Sequence, residues 1–181
     1  MKVVSIVGMP GSGKSEVARV FEENGFIRIR FGDVTDAEVR KRGLDLNEIN
    51  ERLVREMLRQ EHGMAAYAQL NLPVIDSALK KANVVIDGLY SWEEYVFLRG
   101  RYAEGFSVVA VWASPKTRYT RLTVRTDRWL TVEEASARDE AEIRNLNKGG
   151  PIAMADFTLV NESFLDDLEM EVKRVVRWIT E

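Results

Sequence analysis

Short runs of apolar, mostly β-branched residues recur along the chain and predict the strands of a sheet. Four runs have strand length and are bounded by glycine, asparagine or proline, namely Val3–Val7, 26–31, Val84–Asp87 and 108–113. A weaker fifth run, Phe157–Val160, lies near the C-terminus. The first and fourth runs are almost continuously apolar, which is typical of strands buried on both faces of a parallel sheet.

Between the apolar runs, the hydrophobic spacing changes to that of amphipathic helices. A helix over Lys14–Glu23 is predicted to start directly after a glycine-rich loop. A second is predicted over 47–60, where one face carries Ile49, Leu53, Met57 and Leu58. The last is predicted over 164–178, with core contacts expected from Leu165, Leu168, Val172, Val175 and Val176.

Capping patterns predict the starts of two further helices. Ser91 with Glu94 three residues later is a capping box for a helix over 92–101. Ser114 followed by Pro115 has the proline at the first helical position. Strands that alternate with helices indicate right-handed βαβ units, and therefore a three-layer α/β/α architecture. The chain has 181 residues, which favours a single domain over residues 1–181.

Composition and charge exclude several classes of function. The formal net charge of −3 argues against a general nucleic-acid binder, which would carry a basic surplus. Cysteine is absent, so neither disulfides nor thiolate metal sites are possible, and His62 is the single histidine. No apolar run approaches the roughly 20 residues that span a bilayer. We therefore expect a cytoplasmic protein that contacts no membrane. The four tryptophans, 92, 112, 129 and 178, are expected mostly in the core.

The glycine-rich loop after the first run matches a phosphate-binding pattern in full. The segment reads Gly8, Met9, Pro10, Gly11, Ser12, Gly13, Lys14 and Ser15, which fits G-x-x-x-x-G-K-[ST]. Glycines allow successive backbone N–H groups to point at phosphate oxygens. Lys14 would neutralise the β- and γ-phosphates, and the Ser15 hydroxyl can hold Mg²⁺. The loop therefore predicts binding of a nucleoside triphosphate, with ATP and Mg²⁺ as the expected pair.

The rest of the chain narrows the class of P-loop protein. A guanine-specifying Asn-Lys-x-Asp is missing, because Asn147-Lys148 is followed by two glycines. The sequence also gives no sign of the second domain that a motor ATPase would be expected to have. A small kinase is the favoured class.

Two aspartates are predicted at the carboxyl ends of strands, where open α/β sheets bind ligands. Asp33 follows the second apolar run and Asp87 ends the third. One can serve the Mg²⁺ ion and the other can take a proton from an acceptor, or orient its phosphate. These roles are not distinguished by the residues, and the alternative is a helix cap at Asp33 and a turn at Asp87.

Arginine is concentrated in 118–138, in Arg118, Arg121, Arg125, Arg128 and Arg138. Arg121 and Arg125 are one helical turn apart and are expected to share a face. Guanidinium groups can stabilise a transferring phosphoryl group in a site that excludes water. Arg125 and Arg128 are predicted to act in this way, whereas Arg118 is expected to be a solvated surface residue.

These features together resemble the nucleoside-monophosphate kinase superfamily. Within it, the chain looks most like archaeal nucleotide-kinase-like proteins related to dephospho-CoA kinase. The likeness rests on the segments Ile86-Asp87-Gly88, Ser114-Pro115-Lys116-Thr117-Arg118, and Ala155-Asp156-Phe157 with Asn161. The spacing Arg121-Leu122-x-x-Arg125-x-x-Arg128 resembles the segment leading into the lid of UMP/CMP and adenylate kinases.

The resemblance implies a five-stranded parallel sheet of order 2-3-1-4-5, a helical lid at about 126–148 and an acceptor site built from about 33–80. It also implies that Arg121 lies near the donor base, and that Arg125, Arg128 and Arg138 lie near the phosphates. Asp33 would match the proposed base of dephospho-CoA kinases, and Asp87 would then lie nearer the metal. The implied activity is transfer of a phosphoryl group to a nucleoside monophosphate, dephospho-CoA or a similar acceptor.

Departures from the family pattern support a second hypothesis. Tyr90 stands where adenylate kinases carry an arginine, and the lid has a single aspartate, Asp127. A nucleotide-binding regulatory protein, or a slow ATPase with no small-molecule acceptor, is the alternative function.

Overall fold

The computed structural model describes residues 1–126 and 129–181. Within these ranges the strands are β1 (Val3–Val7), β2 (Ile27–Arg30), β3 (Val84–Asp87), β4 (Phe106–Trp112) and β5 (Phe157–Val160). The helices are α1 (Lys14–Glu23), α2 (Asp33–Lys41), α3 (Glu48–His62), α4 (Ala66–Leu79), α5 (Trp92–Tyr102), α6 (Pro115–Thr123), α7 (Val132–Leu146), α8 (Gly149–Ala153) and α9 (Leu165–Thr180). A short 3₁₀ turn, Ala103–Gly105, precedes β4.

All pairs of neighbouring strands in the sheet are parallel, in the order β2-β3-β1-β4-β5. This confirms the α/β/α class that the sequence pattern predicts and the strand order that the family resemblance implies. In the register, Ile6 lies opposite Asp87 on one side and Val109 on the other. The carboxyl ends of the strands therefore meet at one edge, and the loops that follow β1 and β3 lie side by side there.

Side chains of β1 alternate between two hydrophobic cores. Val4 and Ile6 pack in the core that also contains buried residues of α1 and α9. Val3 and Val7 face the other core, which takes residues from α3, α4 and α5. Burial of each such side chain contributes roughly 1.5–3 kcal/mol. The central strand is thus fixed on both faces, and the loop at its carboxyl end starts from a rigid base.

Helix α3 forms as predicted but turns a different face to the core. Val54 and Leu58 are buried, together with the carboxylate-bearing Glu51. Ile49 and Leu53, which the sequence analysis placed on one face with Met57 and Leu58, are 81% and 58% exposed. The apolar residues of this helix form two stripes, and packing against α2 and α4 selects only one of them.

Other expectations about the core are corrected in the same way. In α9, Leu168, Val172, Val175 and Val176 are buried as predicted, but Leu165 in the first turn is about half exposed. The tryptophans described by the structure are exposed, between 36% for Trp92 and 62% for Trp178. Trp178 instead stacks on Phe157 at the edge strand, with ring centroids 6.0 Å apart.

The helices α4 and α8 have no counterpart in the sequence-based prediction, and α2 appeared there only in the alternative that Asp33 caps a helix. Asp33 is instead the first residue of α2, and no side chain that the structure describes caps this helix. Helix α4 contains Pro73, a residue that removes a backbone donor, and its apolar residues are spread around the helix. Tertiary packing on α3 and α5 stabilises it despite the proline. Among the described residues, none of these helices combines the length and hydropathy that crossing a membrane would require.

Candidate active site

The glycine-rich loop joins β1 to α1 in a conformation that depends on its glycines. Gly11 and Gly13 have φ values of 79° and 100°, which lie in the left-handed region. A Cβ atom on Gly11 would lie 2.7 Å from the carbonyl oxygen of Arg118. Gly13 precedes the first turn of α1, and no side chain caps that turn. The first N–H groups of the helix are therefore available to an anion, as phosphate binding requires.

Lys14 is the cation of this loop. Its Nζ donates to the carbonyl oxygen of Met9 at 3.0 Å. Burial, with a further contribution from the charge of Lys148, lowers the pKa of Lys14 to about 7, although Glu142 and Asp87 act in the opposite direction. A cation whose charge is disfavoured in this way is stabilised when an anion binds beside it. The loop and Lys14 therefore fit the phosphates of a nucleoside triphosphate.

Asn161, in the loop after β5, holds the phosphate-binding loop in place through a hydrogen bond between residues far apart in the sequence. Its Nδ2 donates to the Ser12 carbonyl oxygen at 2.8 Å, and a Cβ on Gly13 would collide with the same Nδ2 atom. Arg121 Nη2 donates to the carbonyl oxygen and to Oδ1 of Asn161, at 3.1 and 3.3 Å. Arg121 Nη1 is buried, with no partner among the described residues. Arg121 is thus held beside the loop with one donor available.

Arg118 is buried, which corrects the expectation of a solvated residue. Its Nε donates to the Ala113 carbonyl oxygen and its Nη1 to the Pro10 carbonyl oxygen, both at 3.1 Å. The guanidinium group also forms a two-pronged ion pair with Asp139 of α7, at 2.9 and 2.5 Å. The phosphate-binding loop and α7 are thereby joined through one side chain.

Asp87 ends β3 and is 7% exposed. One of its oxygens accepts from Arg28 Nη2 at 2.5 Å. Ser15, in the first turn of α1, is exposed. Both residues offer oxygen atoms, the ligand type that Mg²⁺ prefers. Within residues 1–126 and 129–181, no group of three or more acidic or histidine side chains could hold a metal ion. A Mg²⁺ ion held by Ser15 and Asp87 would take most of its other ligands from phosphates and water.

Asp33 is the first residue of α2, three positions after the carboxyl end of β2, and its side chain is 65% exposed. Arg30 Nη1 donates to both Asp33 and Asp36, at 3.0 Å in each case. Asp36 is the more buried of the two and lines the large cavity described next. The sequence analysis singled out Asp33 and missed Asp36, because no pattern in the chain shows that Asp36 is the more buried of the two.

A cavity of about 710 Å³ lies between α2 and α3 on one side and α7 on the other. Its lining is strongly charged, with the arginines Arg30, Arg52, Arg55, Arg59 and Arg138 among acidic residues. Most of these arginines have acidic partners; Arg55, for example, is 2.6 Å from Glu48. Arg59 differs, because its Nε is buried without a partner among the described residues and its guanidinium lies 5.2 Å from the centre of the Tyr67 ring.

The wall of the cavity also contains Tyr90, beside the buried Glu94. The Tyr90 N–H donates to Glu94 Oε2 at 2.8 Å, whereas Oε1 has no partner among the described residues. Burial raises the pKa of Glu94 to about 7. A Cβ on Gly88 would lie 2.7 Å from the Tyr90 hydroxyl, so this ring covers the carboxyl end of β3.

The predicted lid contains α7 and a charged cluster at its end. Lys148 Nζ lies 2.5 Å from Glu142 Oε2, and Arg138 Nε lies 3.2 Å from Glu142 Oε1. Burial alone would raise the pKa of Glu142, but Lys148 and Arg138 outweigh it and lower that pKa to about 2. The sequence analysis proposed Arg138 and missed Lys148 and Glu142.

The other lid arginines are less well defined. Helix α6 ends at Thr123, so Arg125 lies beyond it and the expectation that Arg121 and Arg125 share a helical face is wrong. Arg125 is exposed. Arg128 and Asp127 lie outside the described residues.

The solved structures that are similar to this chain include several kinases. A protein called TT1252 from Thermus thermophilus has a TM-score of 0.69 at 22% identity, over 99% of this chain and 98% of its own. A shikimate kinase from Bacteroides thetaiotaomicron has a TM-score of 0.62 at 14% identity, over 99% of each chain. A dephospho-CoA kinase from Campylobacter jejuni has a TM-score of 0.57 at 14% identity, over 98% and 97%. The fold is therefore that of P-loop kinases, and the predicted likeness to dephospho-CoA kinase is confirmed at this level.

Sequence comparison identifies closer relatives. A family model described as an AAA domain matches residues 4–145. The UPF0200 protein TK1334 of Thermococcus kodakarensis is 41% identical in an alignment of length 178 that covers 96% of each chain. A UPF0200 protein of Methanococcus maripaludis is 38% identical in an alignment of length 189, gaps included, that covers 99% of this chain and 100% of the relative. The chain belongs to the UPF0200 family and, among P-loop proteins, to the group that the AAA domain model describes.

Proposed function

We propose that the protein is an ATP- and Mg²⁺-dependent phosphotransferase that acts on a nucleotide or nucleotide-like acceptor. One observation carries the proposal: Arg138 and Glu142 line the 710 Å³ cavity and also act on the charge of Lys14. The cavity and the phosphate-binding loop are therefore close enough to share electrostatic neighbours. This is the arrangement expected when a donor phosphate and an acceptor meet.

Each residue of the site then has a proposed role. The loop 8–15 binds the β- and γ-phosphates, and Lys14 neutralises their charge. Ser15 and Asp87 hold the Mg²⁺ ion, which, when bound, draws negative charge from the phosphate oxygens. Arg121 lies on the side of the donor base. Arg125, Arg128 and Arg138 are proposed to stabilise the phosphoryl group as its bond to ADP breaks and its bond to the acceptor oxygen forms.

The acceptor is proposed to lie in the cavity. Arg59, whose buried Nε has no partner in the part of the chain that the structure describes, is suited to an anionic group of the acceptor. Asp33 is proposed to take the proton if the acceptor is a hydroxyl, and Asp36, which shares Arg30 and lines the cavity, is the second candidate. The named kinases of this fold support phosphoryl transfer, but their different names show that the fold does not fix the acceptor.

A specific observation also favours the alternative, a nucleotide-binding regulatory protein or slow ATPase. Tyr90 covers the strand end where a phosphate-binding arginine would be expected, and its pKa is raised by burial. Release of ADP should be measured with nucleoside monophosphates, dephospho-CoA and phosphate-free analogues as acceptors. We expect acceptor-dependent ADP release with a phosphate-bearing acceptor. Release that is the same with and without every acceptor would support the slow ATPase.

Substitution of the two aspartates should separate their roles. Asp87→Asn is expected to raise the Mg²⁺ concentration for half-maximal activity about tenfold, because it removes a charged oxygen from the metal side of the site. Asp33→Asn should keep the affinity for ATP·Mg²⁺ and lower acceptor phosphorylation by about 10²–10⁴-fold if the acceptor is a hydroxyl. If the acceptor is already a phosphate, the main effect should be weaker acceptor binding.

Asp36→Asn is the matched comparison, since it alters the other carboxylate on Arg30. Titration of Mg²⁺ at saturating ATP gives the measurement for all three variants. A shift in Mg²⁺ dependence with Asp33→Asn and none with Asp87→Asn would reverse the assignment.

A further inference from the structure

A cluster of cations surrounds a single carboxylate at the end of α7. Glu142 accepts from Lys148 Nζ at 2.5 Å and from Arg138 Nε at 3.2 Å. Lys148 is 2% exposed, so its ammonium group has been almost fully removed from water. A lysine buried to this extent is retained only where an anion compensates its charge.

The cluster lies at the carboxyl edge of the sheet. Lys148 Nζ is 5.7 Å from the centre of the Tyr90 ring, and the Tyr90 hydroxyl adjoins Gly88 after β3. Lys148, Glu142 and Arg138 are also among the charges that act on Lys14. Lys148 therefore belongs to the surroundings of the phosphate-binding loop, although it is 134 positions further along the chain.

Several carboxylates lie among the cations of this region, but among the described residues Glu142 is the one that contacts Lys148 Nζ. Lys14, Lys148 and Arg138 all act on the charge of Glu142. Glu48 acts on Arg138, Lys148 acts on the buried Glu94, and Asp87 is paired with Arg28 at 2.5 Å. A phosphate that binds beside Lys14 therefore also enters the field of Lys148 and Arg138.

We propose that Lys148 is a phosphate-binding residue, and that Glu142 holds it in position as an internal stand-in for a phosphate oxygen. This inference rests on the proposed function and adds one residue to its site. When a triphosphate binds, Lys148 exchanges the Glu142 oxygen for a phosphate oxygen, and no covalent bond changes. Arg138 can remain on Glu142, which keeps the carboxylate compensated.

Four variants test the exchange: Lys148→Met, Lys148→Arg, Glu142→Gln and the double variant Glu142→Gln/Lys148→Met. The dissociation constants for ATP·Mg²⁺ and for inorganic tripolyphosphate with Mg²⁺ are measured by calorimetry, and the folded state of each variant is checked by its melting temperature. Lys173→Met on α9 is the control, because this lysine is about half exposed and pairs only weakly with Glu169 at 4.0 Å.

The double variant is decisive, because it removes both charges of the pair and leaves neither buried alone. We expect Lys148→Met and the double variant to weaken both ligands at least tenfold, whereas Lys148→Arg recovers part of the affinity and Glu142→Gln binds as tightly as the wild type or more tightly. If the double variant binds both ligands like the wild type, the pair is structural and the inference is overturned. Weaker binding by Glu142→Gln would also overturn the stand-in role. If the wild type binds neither ligand, the proposed function itself fails, so the two failures are distinguishable.

Discussion

Lys14→Ala is expected to lower phosphoryl transfer by at least 10²-fold and to weaken ATP·Mg²⁺ binding to a similar degree, because it removes the cation of the phosphate-binding loop. The Nζ atom of Lys14 donates to Met9 within the same loop, so little else in the fold depends on it. Calorimetry with ATP·Mg²⁺ gives the affinity, and ADP release gives the rate. Lys173→Ala on α9 should change neither.

The stability of this variant provides a second measurement. The folded-state pKa of Lys14 is about 7, below its ordinary value of 10.5. Folded protein therefore binds this proton less tightly than unfolded protein, and the wild type should gain stability as the pH rises from about 7 toward 10.5. The alanine variant should lack this part of the rise and should be no less stable at pH 7. A clear loss of stability at pH 7 would mean that Lys14 has a structural role instead.

Arg118→Leu is expected to lower the free energy of unfolding by about 3–5 kcal/mol, because it leaves the buried carboxylate of Asp139 without its ion pair. The Pro10 and Ala113 carbonyl oxygens lose a donor in the same substitution. Urea unfolding followed by circular dichroism gives the free energy. Nucleotide affinity should fall as well, since the phosphate-binding loop loses its tie to α7.

Two comparisons isolate the effect of the buried pair. The double variant Arg118→Leu/Asp139→Leu should recover part of the loss, because no charge is then left buried alone. Arg144→Ala removes an exposed arginine that pairs with Glu140 at 2.7 Å, and should change stability by less than about 0.5 kcal/mol. An Arg118→Leu variant as stable as Arg144→Ala would contradict the buried geometry.

The strands and the phosphate-binding loop could be predicted because local sequence determines them. The apolar run Val3–Val7 has no polar residue except Ser5, so it can be placed only between two layers. The glycines between Gly8 and Ser15 determine the conformation of the loop, because they adopt positive φ values. Strand order came from resemblance to a family, since no feature of a single strand specifies its neighbours.

The features of the fold and of the site that could not be predicted are those determined by tertiary contacts. Pro73 disfavours the helix that packing nonetheless forms, and α3 has two apolar stripes of which only one is buried. Glu142 and Lys148 are ordinary charged residues in the sequence, and only their burial beside Lys14 distinguishes them. Arg118 was taken for a surface residue because nothing in the sequence pairs it with Asp139, 21 positions away.

The hydrogen bond from Asn161 to Ser12 also constrains the order of events during synthesis. The phosphate-binding loop is made before the amide that holds it, which is 149 positions later in the chain. Arg19 of α1 is likewise made before its partner, Glu169 of α9, 2.5 Å away in the finished fold. A nascent chain that has not yet paired β5 with β4 therefore lacks these two supports of the loop and of the helix that follows it.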